Sequence, residues 1–178
     1  MEERLKATAN IRIVLVGFMG AGKTTVGRLL AGKLESRFVD LDDEMVQRSG
    51  RSVAEIFEQD GEAAFRQLER ETLRDLLAGA APTVLAMGGG AFVQAEIAAR
   101  LRRHGYTSVF LDAPLEELRR RCAAQASARP LFRDENQFRQ LCESRRGGYM
   151  RADVRVDTGG KTPAQVAAEV AGALGVSV

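Results

Sequence analysis

No run of this sequence stays apolar for the roughly 20 residues a bilayer-spanning helix requires, and Met1 to Asn10 is polar and charged without the apolar stretch of a signal peptide. A membrane-embedded or exported chain is therefore not expected. Neither sign of charge dominates: 26 basic against 24 acidic side chains leave a net +2, too little for a general nucleic-acid surface. A local group of arginines would still suit a polyanion such as nucleotide phosphates. Cysteine is scarce. Cys122 and Cys142 lie in stretches of helical pattern without metal-ligand spacing, so they are expected as reduced structural thiols, which fits a cytoplasmic compartment. The one histidine, His104, follows Arg102-Arg103 and precedes Gly105, the place of a basic residue closing a helix. Repeats, linkers and low-complexity tracts are also missing. With 178 residues, 45% hydrophobic and 28% charged, the chain reads as one globular domain spanning residues 1–178.

What is present begins with Gly17-Phe18-Met19-Gly20-Ala21-Gly22-Lys23-Thr24, which satisfies G-x-x-x-x-G-K-[ST] at every fixed position. The β-branched, apolar run Ile11 to Val16 precedes it, and Thr25 to Leu34 continues it with apolar residues at helical spacing. Strand, glycine-rich turn and helix is the context in which this motif cradles phosphate. The backbone N–H groups of Gly20-Ala21-Gly22-Lys23-Thr24-Thr25 turn inward, the helix contributes its positive end, Lys23 reaches the β- and γ-phosphates, and the Thr24 hydroxyl is placed to ligate Mg²⁺.

The rest alternates. Arg37 to Asp40 reads as a second strand, with a helix starting in Leu41-Asp42-Asp43-Glu44. Ser52 and Glu55 form a capping box, Asp60-Gly61 punctuates that helix, and a long amphipathic helix runs from Glu62 to Leu77. Thr83 to Met87 is the third strand and meets Gly88-Gly89-Gly90 at once. A helix from about Gln94 to His104 leads to strand Thr107 to Asp112, and Pro114 opens the next helix. Periodicity fails from Ala126 to about Glu135, which reads as a mobile lid at about 126–135. A helix from Asn136 to about Met150, interrupted by Gly147-Gly148, a strand Val154 to Asp157 and a helix capped by Thr162-Pro163 complete the chain. The fold class is α/β, a five-stranded parallel sheet with helices on both sides.

Several residues stand where ligands bind in such sheets, at strand carboxyl ends. Asp40 and Asp42, two apart, would share one face of an extended backbone and divide the work between Mg²⁺ and an acceptor hydroxyl; Asp42 could equally be a helix cap. Three consecutive glycines remove every side chain where a ligand approaches the backbone. Arg66 and Arg145 have the fork geometry that grips a carboxylate, although Arg66 could instead pair with Glu62 or Glu69 along its helix. Arg129, beside Pro130 in the lid, could close over the γ-phosphate.

Taken together, the glycine-rich loop, Phe38-Val39-Asp40-Leu41-Asp42, Ile56-Phe57-Glu58, Gly61-Glu62 with Phe65-Arg66, Gly88-Gly89-Gly90 and Arg129-Pro130-Leu131 resemble the shikimate kinases in content and in order, from about Ile11 to Leu174. The resemblance implies a P-loop fold of the nucleoside monophosphate kinase type with strand order 2-3-1-4-5. It also implies ATP-dependent phosphorylation of the 3-hydroxyl of shikimate by a cytoplasmic monomer of aromatic amino-acid biosynthesis. On that basis Asp42 binds the acceptor hydroxyls and acts as base or orienting acceptor, and Asp40 and Thr24 hold the Mg²⁺ shell. Arg66 and Arg145 clamp the carboxylate, and Gly88, Gly89 and Gly90 line the same pocket. Lys23 and Arg129 hold the phosphates. Arg121, or Arg120 one position before it, sandwiches adenine with Pro163. One corner departs from the family pattern: Arg145 is followed by Arg146-Gly147-Gly148 before Tyr149, with Arg146 offering a second guanidinium. Two other functions fit the residues, a kinase for another hydroxylated acid such as gluconate, and a nucleotide-dependent switch.

Overall fold

The computed structural model describes residues 11–81, 83–124 and 134–176. Its elements follow in the order β1 (Arg12–Val16), α1 (Lys23–Lys33), β2 (Arg37–Asp40), α2 (Leu41–Ser49), α3 (Val53–Leu77), β3 (Thr83–Ala86), α4 (Ala95–Arg103), β4 (Thr107–Asp112), α5 (Leu115–Ala124), α6 (Glu135–Tyr149), β5 (Val154–Asp157) and α7 (Pro163–Ala173). The five strands form one parallel sheet in the order β2-β3-β1-β4-β5, with Leu15 beside Ala86 on one side and Val109 on the other.

Burial along the strands explains that order. Every residue of β3 is buried, as are all but the first of β1 and β4, so these three are covered on both faces. The outer strands β2 and β5 mix buried and exposed positions, as edge strands do. Helices cover the sheet, with α1 packed on β2, β3 and α7, and α4 on β4. The connection leaving β1 runs to β2, on one side of the sheet, whereas those leaving β3 and β4 run to the other. Such a change of direction opens a crevice at the carboxyl ends of the strands, and the glycine-rich loop, Asp40 and the triple glycine all sit at those ends.

Local signals account for most boundaries. The Ser52–Glu55 capping box forms as expected, and Gly61, at φ 79° and ψ 175°, kinks α3 into a short and a long segment. Thr162 and Gln165 form a second capping box at α7, with Pro163 in its first turn. Two expectations change. The helix carrying Arg145 is not interrupted at Gly147-Gly148; α6 runs unbroken to Tyr149, and Gly148 abuts Val93, where an added Cβ would lie 3.0 Å from the Val93 Cα and both its methyls. The far end of the expected lid is also shorter than 126–135, because Asp134 caps α6 and Glu135 begins it; the remainder, with Arg129, lies outside the described residues. Among the described residues no helix is long and apolar enough to cross a membrane.

Candidate active site

β1 runs directly into the glycine-rich loop. Gly20 and Gly22 take φ of 79° and 92°, values glycine adopts without steric cost. A Cβ at Gly20 would lie 2.8 Å from Cys122 Sγ and 2.9 Å from the Leu118 carbonyl, so the loop rests directly on α5. Gly22 is the N-cap of α1 and brings no side-chain oxygen, which leaves the amides of the first turn to an anion. Lys23 Nζ donates to the carbonyls of Gly17 (2.9 Å) and Phe18 (3.0 Å), holding its charge over the loop.

A cleft of about 420 Å³ opens in front of this loop, lined by Lys23, Thr24, Asp40, Asp42, Gly88 and Arg145 among others. Thr24 Oγ1 donates to Asp40 Oδ2 at 2.8 Å, while Asp40 Oδ1 accepts the Asp42 N–H at 3.1 Å. Asp40 is therefore the N-cap of α2, and Asp42 is not. Asp40 and Asp42 do not share a face by strand alternation either, because β2 ends at Asp40 and Asp42 belongs to the first helical turn. Both reach the cleft because the strand passes into the helix without a loop. An oxygen-rich pair of one hydroxyl and one carboxylate suits Mg²⁺, which takes few protein ligands and completes its shell with phosphates and water.

Gly88, Gly89 and Gly90 each face a different side chain. A Cβ at Gly88 would lie 2.8 Å from Asp42 Oδ1, one at Gly89 would lie 3.1 Å from Arg145 Nη1, and one at Gly90 would lie 2.6 Å from Arg66 Nη2. None of the three has a left-handed φ. They are glycines for space, and the space is occupied by one carboxylate and two guanidinium groups brought to one short segment.

Both arginines are braced. Arg66 Nη1 donates to Glu69 Oε2 at 2.9 Å, its Nη2 lies 3.5 Å from Glu62, and its guanidinium stands 5.2 Å from the centre of the Phe65 ring, itself stacked on Phe57. Pairing along the helix and a place in the pocket are thus compatible. Glu69 is 1% exposed; burial raises its pKa, the Arg66 guanidinium and the Gln94 amide oppose that rise, and the Asp42 charge adds to it. Arg145 stands 5.9 Å from the Phe18 ring centre and faces Gly89 beside the hydroxyl of Tyr149, which donates to the Gly89 carbonyl. Arg146 does not compete for the cleft. Its two Nη atoms bind Asp112 at 2.5 and 2.8 Å, and Arg155 Nε joins the same carboxylate at 2.9 Å.

Of the two candidates on α5, Arg121 faces the loop. Its Nη1 donates to the Gly20 carbonyl at 3.3 Å, and its Nη2 donates to Glu117 and to the Thr158 carbonyl. The Arg120 side chain is 77% exposed and only 3.6 Å from Glu117. Pro163 lies further along the same β5–α7 connection as Thr158. Sequence reasoning assigned no role to Gln94 or Tyr149; neither carries a charge that would have marked it. Glu69 entered only as a helical partner of Arg66.

A parallel sheet of this order, with a glycine-rich loop entering a helix at Lys23-Thr24 and with Asp42 and Arg145 in the same cleft, defines a P-loop small-molecule phosphotransferase. The family model described as shikimate kinase matches residues 19–174, and the chain belongs to the shikimate kinase family. A shikimate kinase of Persephonella marina is 39% identical over 160 residues, covering 90% of this chain and 96% of that one. The crystal structure of a shikimate kinase from Acinetobacter baumannii in complex with shikimate superposes with a TM-score of 0.86 at 35% identity, covering 95% of this chain and 96% of that one. A gluconokinase from Sinorhizobium meliloti, at 19% identity and a TM-score of 0.65 over 93% of this chain and 92% of that one, shares the fold alone.

Proposed function

We propose that this protein transfers the γ-phosphoryl group of ATP to the 3-hydroxyl of shikimate, giving shikimate 3-phosphate and ADP in aromatic amino-acid biosynthesis. The observation that carries the reading is the triple glycine, which Asp42, Arg145 and Arg66 each face, with Asp42 and Arg145 lining the same cleft as Lys23 and Thr24. Phosphoryl transfer asks a protein for positioning and charge more than for covalent chemistry. Arg66 and Arg145 pair with the acid's carboxylate, a recognition matched to the planar guanidinium fork. Asp42 accepts the hydrogen of the 3-hydroxyl, whose oxygen bonds to the γ-phosphorus as the bond to the β,γ-bridging oxygen breaks. Lys23 and the amides of the first turn of α1 hold the phosphates. Thr24 and Asp40 are the residues we assign to Mg²⁺, which supplies charge neutralisation when bound. Arg121 and Pro163 are assigned to the adenine, and Arg129 to the phosphates from the lid. Two free cysteines fit an enzyme of the reducing cytoplasm.

The test is turnover of ATP by the purified protein with shikimate, quinate or gluconate as acceptor. Shikimate should give the highest kcat/KM by at least about 10²-fold, the scale set by buried polar groups left unpaired with a wrong acceptor. Rapid turnover of gluconate beside negligible turnover of shikimate, or ATP consumption indifferent to any acid, overturns the assignment.

A further inference from the structure

The hydroxyl of Tyr149 occupies a position that packing alone does not require. The residue is the last of α6, is 1% exposed and lays its ring 5.3 Å from that of Phe110. Ring burial would be served equally by phenylalanine. Yet the hydroxyl donates to the Gly89 carbonyl, with the Arg145 guanidinium against the same glycine. An added Cβ at Gly89 would fall 2.9 Å from that hydroxyl and 3.1 Å from Arg145 Nη1. The hydroxyl and the arginine one helical turn back along α6 thus meet at the middle of the triple glycine.

We infer that Tyr149 is a positioning residue for acid recognition: its hydroxyl sets the Arg145 guanidinium against Gly89 in the orientation that receives the acceptor's carboxylate. A guanidinium on a flexible stem loses side-chain freedom when it is held, and a fork already held in place loses less when the carboxylate arrives. Three features of this chain keep the tyrosine at its post. Gly148, lacking a side chain, lets α6 close onto Val93. Arg146 fastens the same turn to Asp112, which Arg155 also binds. Phe110 carries the ring from beneath. Arg146, Gly148 and Tyr149 thus support the turn of α6 that carries Arg145. The hydroxyl must keep its proton to donate to Gly89, and burial pushes its pKa upward.

The inference rests on the shikimate reading of the site, and wild-type turnover of shikimate tests that reading first and separately. Tyr149→Phe, which retains the ring, is then compared with wild type. The KM for shikimate should rise roughly 10-fold, the scale of one hydrogen bond to a charged group, while the KM for ATP stays within about twofold. The two changes should also not multiply: in an Arg145→Met background, Tyr149→Phe should add less than about a twofold effect. An unchanged KM for shikimate, a parallel rise in both KM values, or a full multiplicative effect in the Arg145→Met background overturns the inference. A thermal scan of each variant separates unfolding from these outcomes, and Tyr149→His, which restores a polar atom on a ring, should recover part of the affinity if Tyr149→Phe unfolds.

Discussion

Asp42 lies in the first turn of α2 with its carboxylate against Gly88, and Asp40 two residues earlier is bound to Thr24 and to the Asp42 amide. Two carboxylates so close in sequence are thereby given separate work: one is tied into the phosphate loop and the helix cap, the other is turned toward the acceptor pocket. Asp42→Asn keeps the shape and removes the base. Its kcat should fall by about 10²-fold or more, the usual scale for a positioned acid–base group, with ATP affinity nearly unchanged in steady-state and binding measurements. A kcat equal to wild type would remove Asp42 from the chemistry. At this scale the sequence singled out the charged residues that the structure brings to the loop and the triple glycine, Lys23, Asp42, Arg66 and Arg145, whose roles we propose. It was silent on Tyr149 and Gln94, whose parts depend on contacts across 60 and 25 positions of chain. The assumed strand alternation of Asp40 and Asp42 failed because periodicity says which residues share a face only while one element lasts.

Among the elements, α6 shows how a helix can be read correctly in position and wrongly in detail. Gly147-Gly148 looked like an interruption, since glycine is a poor helix former. Packing overrides that preference: α6 continues because its last turn is pinned by Arg146 to Asp112 and pressed against Val93. The two glycines should then behave differently. Gly148→Val drives a side chain into Val93 and should cost roughly 1–3 kcal/mol of stability, with a higher KM for shikimate as the Arg145 turn shifts. Gly147→Ala, where nothing lies within 4 Å of the added carbon, should be neutral or stabilise by up to about 1 kcal/mol. Urea denaturation of the pair checks this, and equal effects at the two positions would contradict the packing described. The strands, by contrast, were plain in the sequence, because buried central strands are continuous apolar runs. The capping box at Ser52 and the Thr162-Pro163 cap also announced their helices.

For the whole molecule, strand order could not be derived from periodicity; it came with the resemblance to a family, and the pairing of β1 with both β3 and β4 agrees with it. That order matters because it puts the loop after β1 beside the loop after β3, so that the phosphate and acid sites we propose lie at neighbouring strand ends. The central claim is this juxtaposition: the acid site we propose at Asp42, Arg66 and Arg145 adjoins the phosphate loop, with Asp42 and Arg145 in the cleft that Lys23 and Thr24 also line. The most direct test is calorimetric titration of Arg66→Ala with shikimate and, independently, with a non-hydrolysable ATP analogue. The Arg66 side chain is only 20% exposed, so losing its pair with the carboxylate should weaken shikimate binding by roughly 2 to 5 kcal/mol and leave nucleotide affinity unchanged. A loss confined to the nucleotide, with shikimate bound as tightly as by wild type, would contradict it.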